Sequence, residues 1–125
     1  MIPVDQTRTG ETGNCLSACF ASLFECPIED VPNFFDAIAS DDDDAWWNGV
    51  RAWLRPKGFG LMSLQLLNQD SLALFEGIFI VCGKSCRGIY HATLWQNGKL
   101  LHDPHPSKCG LETVETIDML YPLFT

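Results

Sequence analysis

The sequence is poor in positive charge. Its 125 residues include 8 Lys and Arg against 16 Asp and Glu, which gives a formal net charge of −8. Proteins that bind nucleic acid neutralise phosphates with clustered Lys and Arg, so this composition argues against DNA or RNA as the main partner. It argues equally against binding to an anionic membrane surface, since such binding also depends on basic residues.

Long apolar runs are missing as well. No stretch approaches the roughly 18 uninterrupted apolar residues of a transmembrane helix. Residues 1–5 lack the basic region and apolar run of a signal peptide. The sequence therefore predicts no membrane span, no export signal and a cytoplasmic location.

Cysteine, in contrast, is plentiful for a chain of this size. The six are Cys15, Cys19, Cys26, Cys82, Cys86 and Cys109. An even number suggests a disulfide framework in a small secreted protein. Here no export signal is present, and a chain that is 46% hydrophobic can bury a core without such bonds. We therefore expect mostly reduced cysteines, with Cys82 and Cys86 as the pair most suited to a labile disulfide.

The hydrophobic pattern changes from a helical period to a strand period part-way along the chain. Helices are predicted at about Cys15–Glu25 and Asp44–Arg55, with a helical turn between them. Strands are predicted at Leu61–Leu66, Gly77–Cys82, Tyr90–Gln96, Lys99–His102 and Glu115–Tyr121. Helices followed by an antiparallel sheet predict a single α+β domain over residues 1–125.

Cys15 stands at the predicted start of the first helix. Asn14 suits the N-cap position, because its side-chain oxygen can accept from a free N–H group of the first turn. Cys15 then occupies the first helical position, where free N–H groups and the helix dipole stabilise a thiolate. The position therefore favours a nucleophilic cysteine, and the alternative is a small buried core residue.

A cysteine nucleophile needs a base, and the base needs an orienting group. His91 lies on a predicted strand, and Asn97-Gly98 favours a hairpin. A three-residue loop with a glycine bulge pairs residues whose numbers sum to 194, which places His91 opposite Asp103. A two-residue turn would point Asp103 to the other side and favour His102 instead. We predict the bulged loop, because Gly98 tolerates a positive φ.

With these residues the chain resembles the papain-like cysteine peptidase superfamily. It is similar to the small bacterial and phage members, including the peptidases that process double-glycine leader peptides. The segments that carry the resemblance are Gly13-Asn14-Cys15, His91-Ala92 and His102-Asp103-Pro104. Most of the chain is covered, and the implied fold is papain-like: N-terminal helices, with a central helix that starts at Cys15, packed on an antiparallel sheet.

The resemblance also implies roles for single residues. Cys15, His91 and Asp103 would form the catalytic triad. A glutamine upstream of the cysteine donates to the oxyanion hole in that superfamily, and Gln6 is the only glutamine before Cys15. The alternative for Gln6 is an ordinary solvated loop residue.

These residues predict a thiol hydrolase, a peptidase, isopeptidase or amidase that works through a thioester and needs no cofactor. Its partner would be a peptide or protein substrate, and interception of the thioester by an amine would give acyl transfer. The run Asp41–Asp44 would suit a basic substrate, although a solvated start of the second helix explains it more simply. The alternative function is a non-enzymatic acidic binding or inhibitor protein that keeps the same fold.

One further triplet has a spacing that resembles a metal site. His102, His105 and Cys109 are separated by two and three residues. A fourth ligand is not evident, and the triplet lies in a proline-rich turn. We therefore predict an ordinary loop rather than a zinc centre.

Overall fold

The computed structural model describes residues 1–123 and places three helices before five strands. The helices are α1 (Cys15–Phe24), α2 (Phe34–Ala37) and α3 (Asp43–Leu54). The strands are β1 (Phe59–Gln65), β2 (Ile78–Lys84), β3 (Tyr90–Gln96), β4 (Lys99–His102) and β5 (Thr116–Pro122). The prediction of an α+β architecture with helices packed on an antiparallel sheet is confirmed.

The five strands form one sheet in the order β1-β5-β2-β3-β4, and all neighbouring strands are antiparallel. The last strand along the chain, β5, thus lies between β1 and β2. Helix α1 packs against β3. Because β3 carries His91 near its beginning, this packing brings the histidine to the same region of the molecule as the helix that begins with Cys15.

Apolar side chains cover both faces of the sheet. The helices bury one face in the larger cluster, which includes Phe20, Val50, Leu54, Ile80 and Leu94. The segment between β1 and β2 covers the other face with Leu72, which packs near Val81, Trp95 and Ile117. Helix α1 is therefore packed in one apolar cluster with α3 and the sheet.

Helix α1 is buried on all sides, as its apolar stripe and its opposite face of small residues predict. Every residue from Leu16 to Ser22 is buried. The two hydroxyls within this stretch are satisfied, because Ser17 donates to the carbonyl of Pro32 and Ser22 donates to the carbonyl of Ala18. The helix ends at Phe24, and its C-cap residue Glu25 has a left-handed φ of 54°.

The hairpin between β3 and β4 differs from the prediction. Its turn is the two-residue Asn97-Gly98 turn, with φ of 54° and 76°, and Gln96 pairs with Lys99. The bulge lies further along, so that Leu94 pairs with His102. The predicted three-residue loop is therefore wrong. Asparagine also tolerates a positive φ, and two such residues form a tight turn that matches the twist of the strands.

The disulfide pairing is also different. Cys86, in the turn after β2, is bonded to Cys109, in the loop after β4. The predicted partner Cys82 is a free thiol buried within β2, where it donates to the Asp118 carboxylate. The predicted pair of Cys82 and Cys86 is therefore wrong. The separation of 23 residues between the bonded cysteines explains why spacing alone did not indicate the pairing.

Each helix within residues 1–123 is too short or too polar to cross a membrane.

Candidate active site

A buried histidine–aspartate pair lies at the beginning of β3. The distance from Nε2 of His91 to Oδ1 of Asp103 is 2.7 Å, and each residue is only 3% exposed. The two residues meet although the predicted hairpin register is wrong. Asp103 follows the last paired residue of β4, so strand alternation does not set the direction of its side chain.

Three hydrogen bonds hold the Asp103 carboxylate. Besides His91, the backbone N–H groups of His105 and Gly110 donate to it over 2.9 and 2.8 Å. Burial alone would raise the pKa of Asp103, but these hydrogen bonds outweigh it and lower the pKa well below its usual range. Asp103 is therefore an anion at neutral pH, and it accepts the Nε2–H of His91.

His91 interacts with both Asp103 and Cys15. Burial disfavours the charged ring, but the hydrogen bond to Asp103 and the nearby Cys15 thiol outweigh it and raise the pKa of His91 to about 9. Nε2 is occupied by Asp103, so Nδ1 is the ring nitrogen left for the Cys15 thiol. A ring that keeps its proton at neutral pH can form an ion pair with a thiolate at position 15.

The start of α1 is shaped by Asn14, but not in the predicted way. Asn14 occupies the N-cap position without a side-chain cap. Its Oδ1 accepts instead from the backbone N–H groups of Thr7 and Arg8, at 3.0 and 2.9 Å. The capping prediction is therefore wrong, because the preceding loop folds around this side chain. As a result, the Asn14 side chain accepts no hydrogen bond from the N–H groups in the first turn of α1, which include that of Cys15.

Gly13 allows this loop to pack closely before Cys15. A Cβ atom at position 13 would lie 2.8 Å from the carbonyl oxygen of Arg8 and 3.0 Å from that of Gly10. Both neighbours are backbone atoms that cannot rotate away. The glycine two residues before Cys15 is therefore required by the geometry of the loop.

Gln6 is buried beside the start of α1. It is 7% exposed, and its Nε2 donates to the carbonyl of Arg8, which also accepts from the backbone N–H of Asn14. Its own backbone N–H donates to Pro104, next to Asp103. This burial excludes the alternative of a solvated loop residue. Within residues 1–123 the second N–H of the Gln6 amide has no partner, and Oε1 is buried without one.

The other histidines do not take the place of Asp103. His102, the alternative orienting residue, contacts the N-terminal segment, where its Nε2 lies 2.8 Å from the carbonyl oxygen of Val4. His105 packs edge-on against His91, with 6.1 Å between ring centroids. The support that His105 and Gly110 give to Asp103 is not visible in the sequence, since it comes from their backbone N–H groups.

The possible metal triplet is not assembled. Cys109 is committed to the disulfide, and Nδ1 of His105 bonds Ser107. Among residues 1–123, no group of three or more His, Cys, Asp or Glu side chains is arranged to hold a metal ion.

Comparisons of the chain with protein-family models, with curated proteins and with solved structures find no match. The function therefore has to be argued from the geometry of the site.

The geometry predicts selective alkylation of Cys15. Cys26 is a matched control, because both thiols are free and partly buried, but Cys15 and not Cys26 is among the groups that raise the pKa of His91. Burial raises the pKa of the remaining free thiols, Cys19 and Cys82, and keeps them unreactive. At pH 7 under non-reducing conditions, we expect iodoacetamide to modify Cys15 at least about tenfold faster than Cys26 in a mass-spectrometric time course. Equal rates would contradict the proposed contact with His91.

Proposed function

We propose that the protein is a cysteine-dependent hydrolase of papain-like fold that cleaves a peptide, isopeptide or related amide bond. The observation that carries this proposal is the position of His91. Its buried ring is hydrogen-bonded to the Asp103 carboxylate and lies close enough to Cys15, at the N-terminus of a buried helix, for that thiol to raise its pKa. This is the arrangement of nucleophile, base and orienting group that acyl transfer requires.

The reaction begins with attack of the Cys15 thiolate on the substrate carbonyl carbon. The carbonyl oxygen becomes an oxyanion close to the start of α1. Two donors are available to it, the backbone N–H of Cys15 and the second N–H of the Gln6 side chain. One such donor typically contributes about 10²–10³ in rate.

His91 then acts as an acid. Its proton passes to the leaving nitrogen, the C–N bond breaks, and the acyl group remains on Cys15 as a thioester. Water attacks the thioester while His91 accepts a proton, which releases the carboxylic acid and restores the enzyme. If an amine attacks in place of water, the product is a new amide.

The topology supports the papain-like interpretation. Cys15 begins a buried helix that packs on the strand carrying His91, and Asp103 follows the next strand of an antiparallel sheet. The order nucleophile, histidine, acid along the chain is the order in the superfamily that the sequence resembles.

The acidic run does not require a basic substrate. Asp41–Asp44 are exposed, Asp42 takes the N-cap position of α3, and Asp43 and Asp44 lie in its first turn. Carboxylates at this end of a helix are favourable because of its dipole. We therefore assign the run to the start of α3 and leave the charge of the substrate open.

A peptide mixture tests the proposed function without knowledge of the substrate. The protein is incubated with a tryptic digest of a whole proteome from pH 5 to 9, and new peptide termini are identified by mass spectrometry. We expect cleavage that stops when Cys15 is carbamidomethylated beforehand. The double variant Asp42→Asn/Asp43→Asn should cleave as the wild type does.

Two outcomes would overturn the proposal. One is the absence of new termini at every pH. The other is cleavage that survives complete modification of Cys15. The first outcome would leave the acidic binding protein as the remaining candidate function.

A further inference from the structure

The loop of residues 103–110, called here the Asp103 loop, is fastened to the rest of the protein by an exposed disulfide. Cys109 lies near its end, and its partner Cys86 lies in the turn between β2 and β3. Both cysteines are exposed to solvent. The bond therefore joins the turn that precedes the His91 strand to the loop that contains Asp103.

The disulfide lies next to one of the hydrogen bonds that define the site. Gly110, which follows Cys109, donates its backbone N–H to Oδ2 of Asp103 over 2.8 Å. Gly110 is buried and has a φ of 73°, so its N–H points at the carboxylate only while the loop keeps this conformation. The position of Cys109 thus controls the direction of a donor to Asp103.

Two cations complete the attachment of the loop. Nη1 of Arg87, the residue after Cys86, lies 2.9 Å from Oγ of Ser107 and 3.0 Å from Sγ of Cys109. Nζ of Lys108 donates to the carbonyl oxygen of Asp103 over 2.8 Å within the loop, and to the carboxylate of Asp5, which lies outside it. The Arg87 contacts and the Lys108–Asp5 pair lie on the exposed surface, where they are weaker than a covalent bond.

We propose that the Cys86–Cys109 disulfide is a positioning element of the active site, and that a dithiol reductant lowers the activity of the site by opening it. The proposal deepens the proposed function and rests on it. Exchange with an external thiol needs an accessible sulfur, and the two exposed cysteines meet this condition. The reactive Cys15 lies in α1 and does not take part in the bond.

The exchange is a two-electron reduction. A thiolate of the dithiol attacks one sulfur of the bond, the S–S bond breaks, and a mixed disulfide forms. The second thiolate of the reductant then displaces the protein sulfur. The products are the thiols of Cys86 and Cys109, together with the oxidised, cyclic reductant. With the bond open, the Gly110 donor is no longer held on Asp103, and Asp103 no longer fixes His91.

The test compares the oxidised wild type with the double variant Cys86→Ser/Cys109→Ser. We expect alkylation of Cys15 by iodoacetamide at pH 7 to be at least about tenfold slower in the variant. In an NMR titration, the pKa of His91 should fall from about 9 towards its ordinary value of 6.5. The wild type is also treated with dithiothreitol, which is removed before alkylation. This treatment should slow the alkylation of Cys15 and lower the pKa of His91 in the wild type, and should change neither in the variant.

Two control variants separate positioning from other effects. Cys26→Ser removes a thiol outside the Asp103 loop and should change nothing. Val50→Ala weakens the buried contacts of α3 and lowers stability without touching the loop. If Val50→Ala slows the alkylation of Cys15 as much as the double variant does, general destabilisation explains the effect and the proposal is overturned.

The remaining outcomes distinguish the two proposals. If Cys15 is no more reactive than Cys26 in the oxidised wild type, the proposed function fails. The His91 titration then still tests the positioning role of the disulfide. If Cys15 is equally reactive in the wild type and the double variant, and the pKa of His91 is unchanged, only the disulfide proposal fails.

Discussion

Replacing Cys15 by alanine is expected to lower kcat/KM for amide hydrolysis by at least about 10⁴-fold, which would leave no activity above background. The reason is that the neighbouring candidates on α1 are not suited to replace it. Burial raises the pKa of the Cys19 thiol, and the hydroxyl of Ser17 is buried and donates to the carbonyl of Pro32. The measurement is the rate of formation of one product peptide identified in the peptide mixture.

A matched variant shows whether the loss is chemical. Cys26→Ala removes a free thiol of similar exposure, just beyond the end of α1, and should keep full activity. Both variants should unfold at urea concentrations close to that of the wild type. Residual activity of a few per cent in a Cys15→Ala sample free of wild-type protein would show that Cys15 is not the nucleophile.

Replacing Asp103 by asparagine is expected to lower kcat/KM by about 10²–10³-fold. Asparagine has one side-chain oxygen, so it cannot accept from the N–H groups of both His105 and Gly110 as the two carboxylate oxygens do. It also lacks the negative charge that stabilises protonated His91. The Nε2–H of His91 loses its anionic partner, so the ring is held less firmly in the orientation that leaves Nδ1 for Cys15.

The same substitution should move the alkaline limb of the pH profile. His91 must be protonated to donate to the leaving nitrogen, so wild-type activity should fall as the pH rises through about 9. Removal of the Asp103 charge lowers the pKa of His91, and the fall should then begin at a lower pH. The position of the limb is measured from kcat/KM at constant ionic strength.

Asp118 provides the control for this second prediction. It is also a buried carboxyl, but it lies on β5, with Ser63 and Cys82 as its hydrogen-bond partners, and it is not among the groups that act on His91. Asp118→Asn should therefore leave the alkaline limb in place. A limb that stays near pH 9 in Asp103→Asn would show that Asp103 does not control the protonation of His91.

Local patterns predicted most of the fold. The helical stripe that begins at Cys15 is α1, and the strands Tyr90–Gln96 and Lys99–His102 have the predicted limits. The other helices and strands begin and end within about two residues of the prediction, which is the usual uncertainty of helix ends. These elements were predictable because their periodicity depends only on which face of each segment is buried.

Long-range geometry was not predictable in the same way. The order of the sheet places β5 between strands that precede it, and the Cys86–Cys109 bond depends on a loop that folds back. The predicted length of the hairpin loop was wrong because Asn97-Gly98 suits both a two-residue and a three-residue loop. The choice between them is made by the twist of the strands and by the bulge in β4.

The candidate site also has a part that local sequence patterns predict and a part that depends on long-range geometry. Cys15 could be predicted as a candidate from its place at a helix start, and His91 from its place on a strand. Asp103 was predicted from a hairpin register that is wrong, and it meets His91 from just beyond the end of β4. The backbone donors from His105 and Gly110 could not be identified, since any residue has a backbone N–H and only the loop conformation aims it. The burial of Gln6 likewise depends on how the N-terminal segment packs beside Pro104.

The central place of β5 has a consequence for the order of folding during synthesis. In the described part of the chain, β1 pairs with β5 alone, and β5 is the last strand to leave the ribosome. A nascent chain that ends before Thr116 can pair β2, β3 and β4, and so assemble the hairpins that carry His91 and Asp103. It cannot attach β1 to them, so the sheet on which the helices rest closes only when the C-terminal strand arrives.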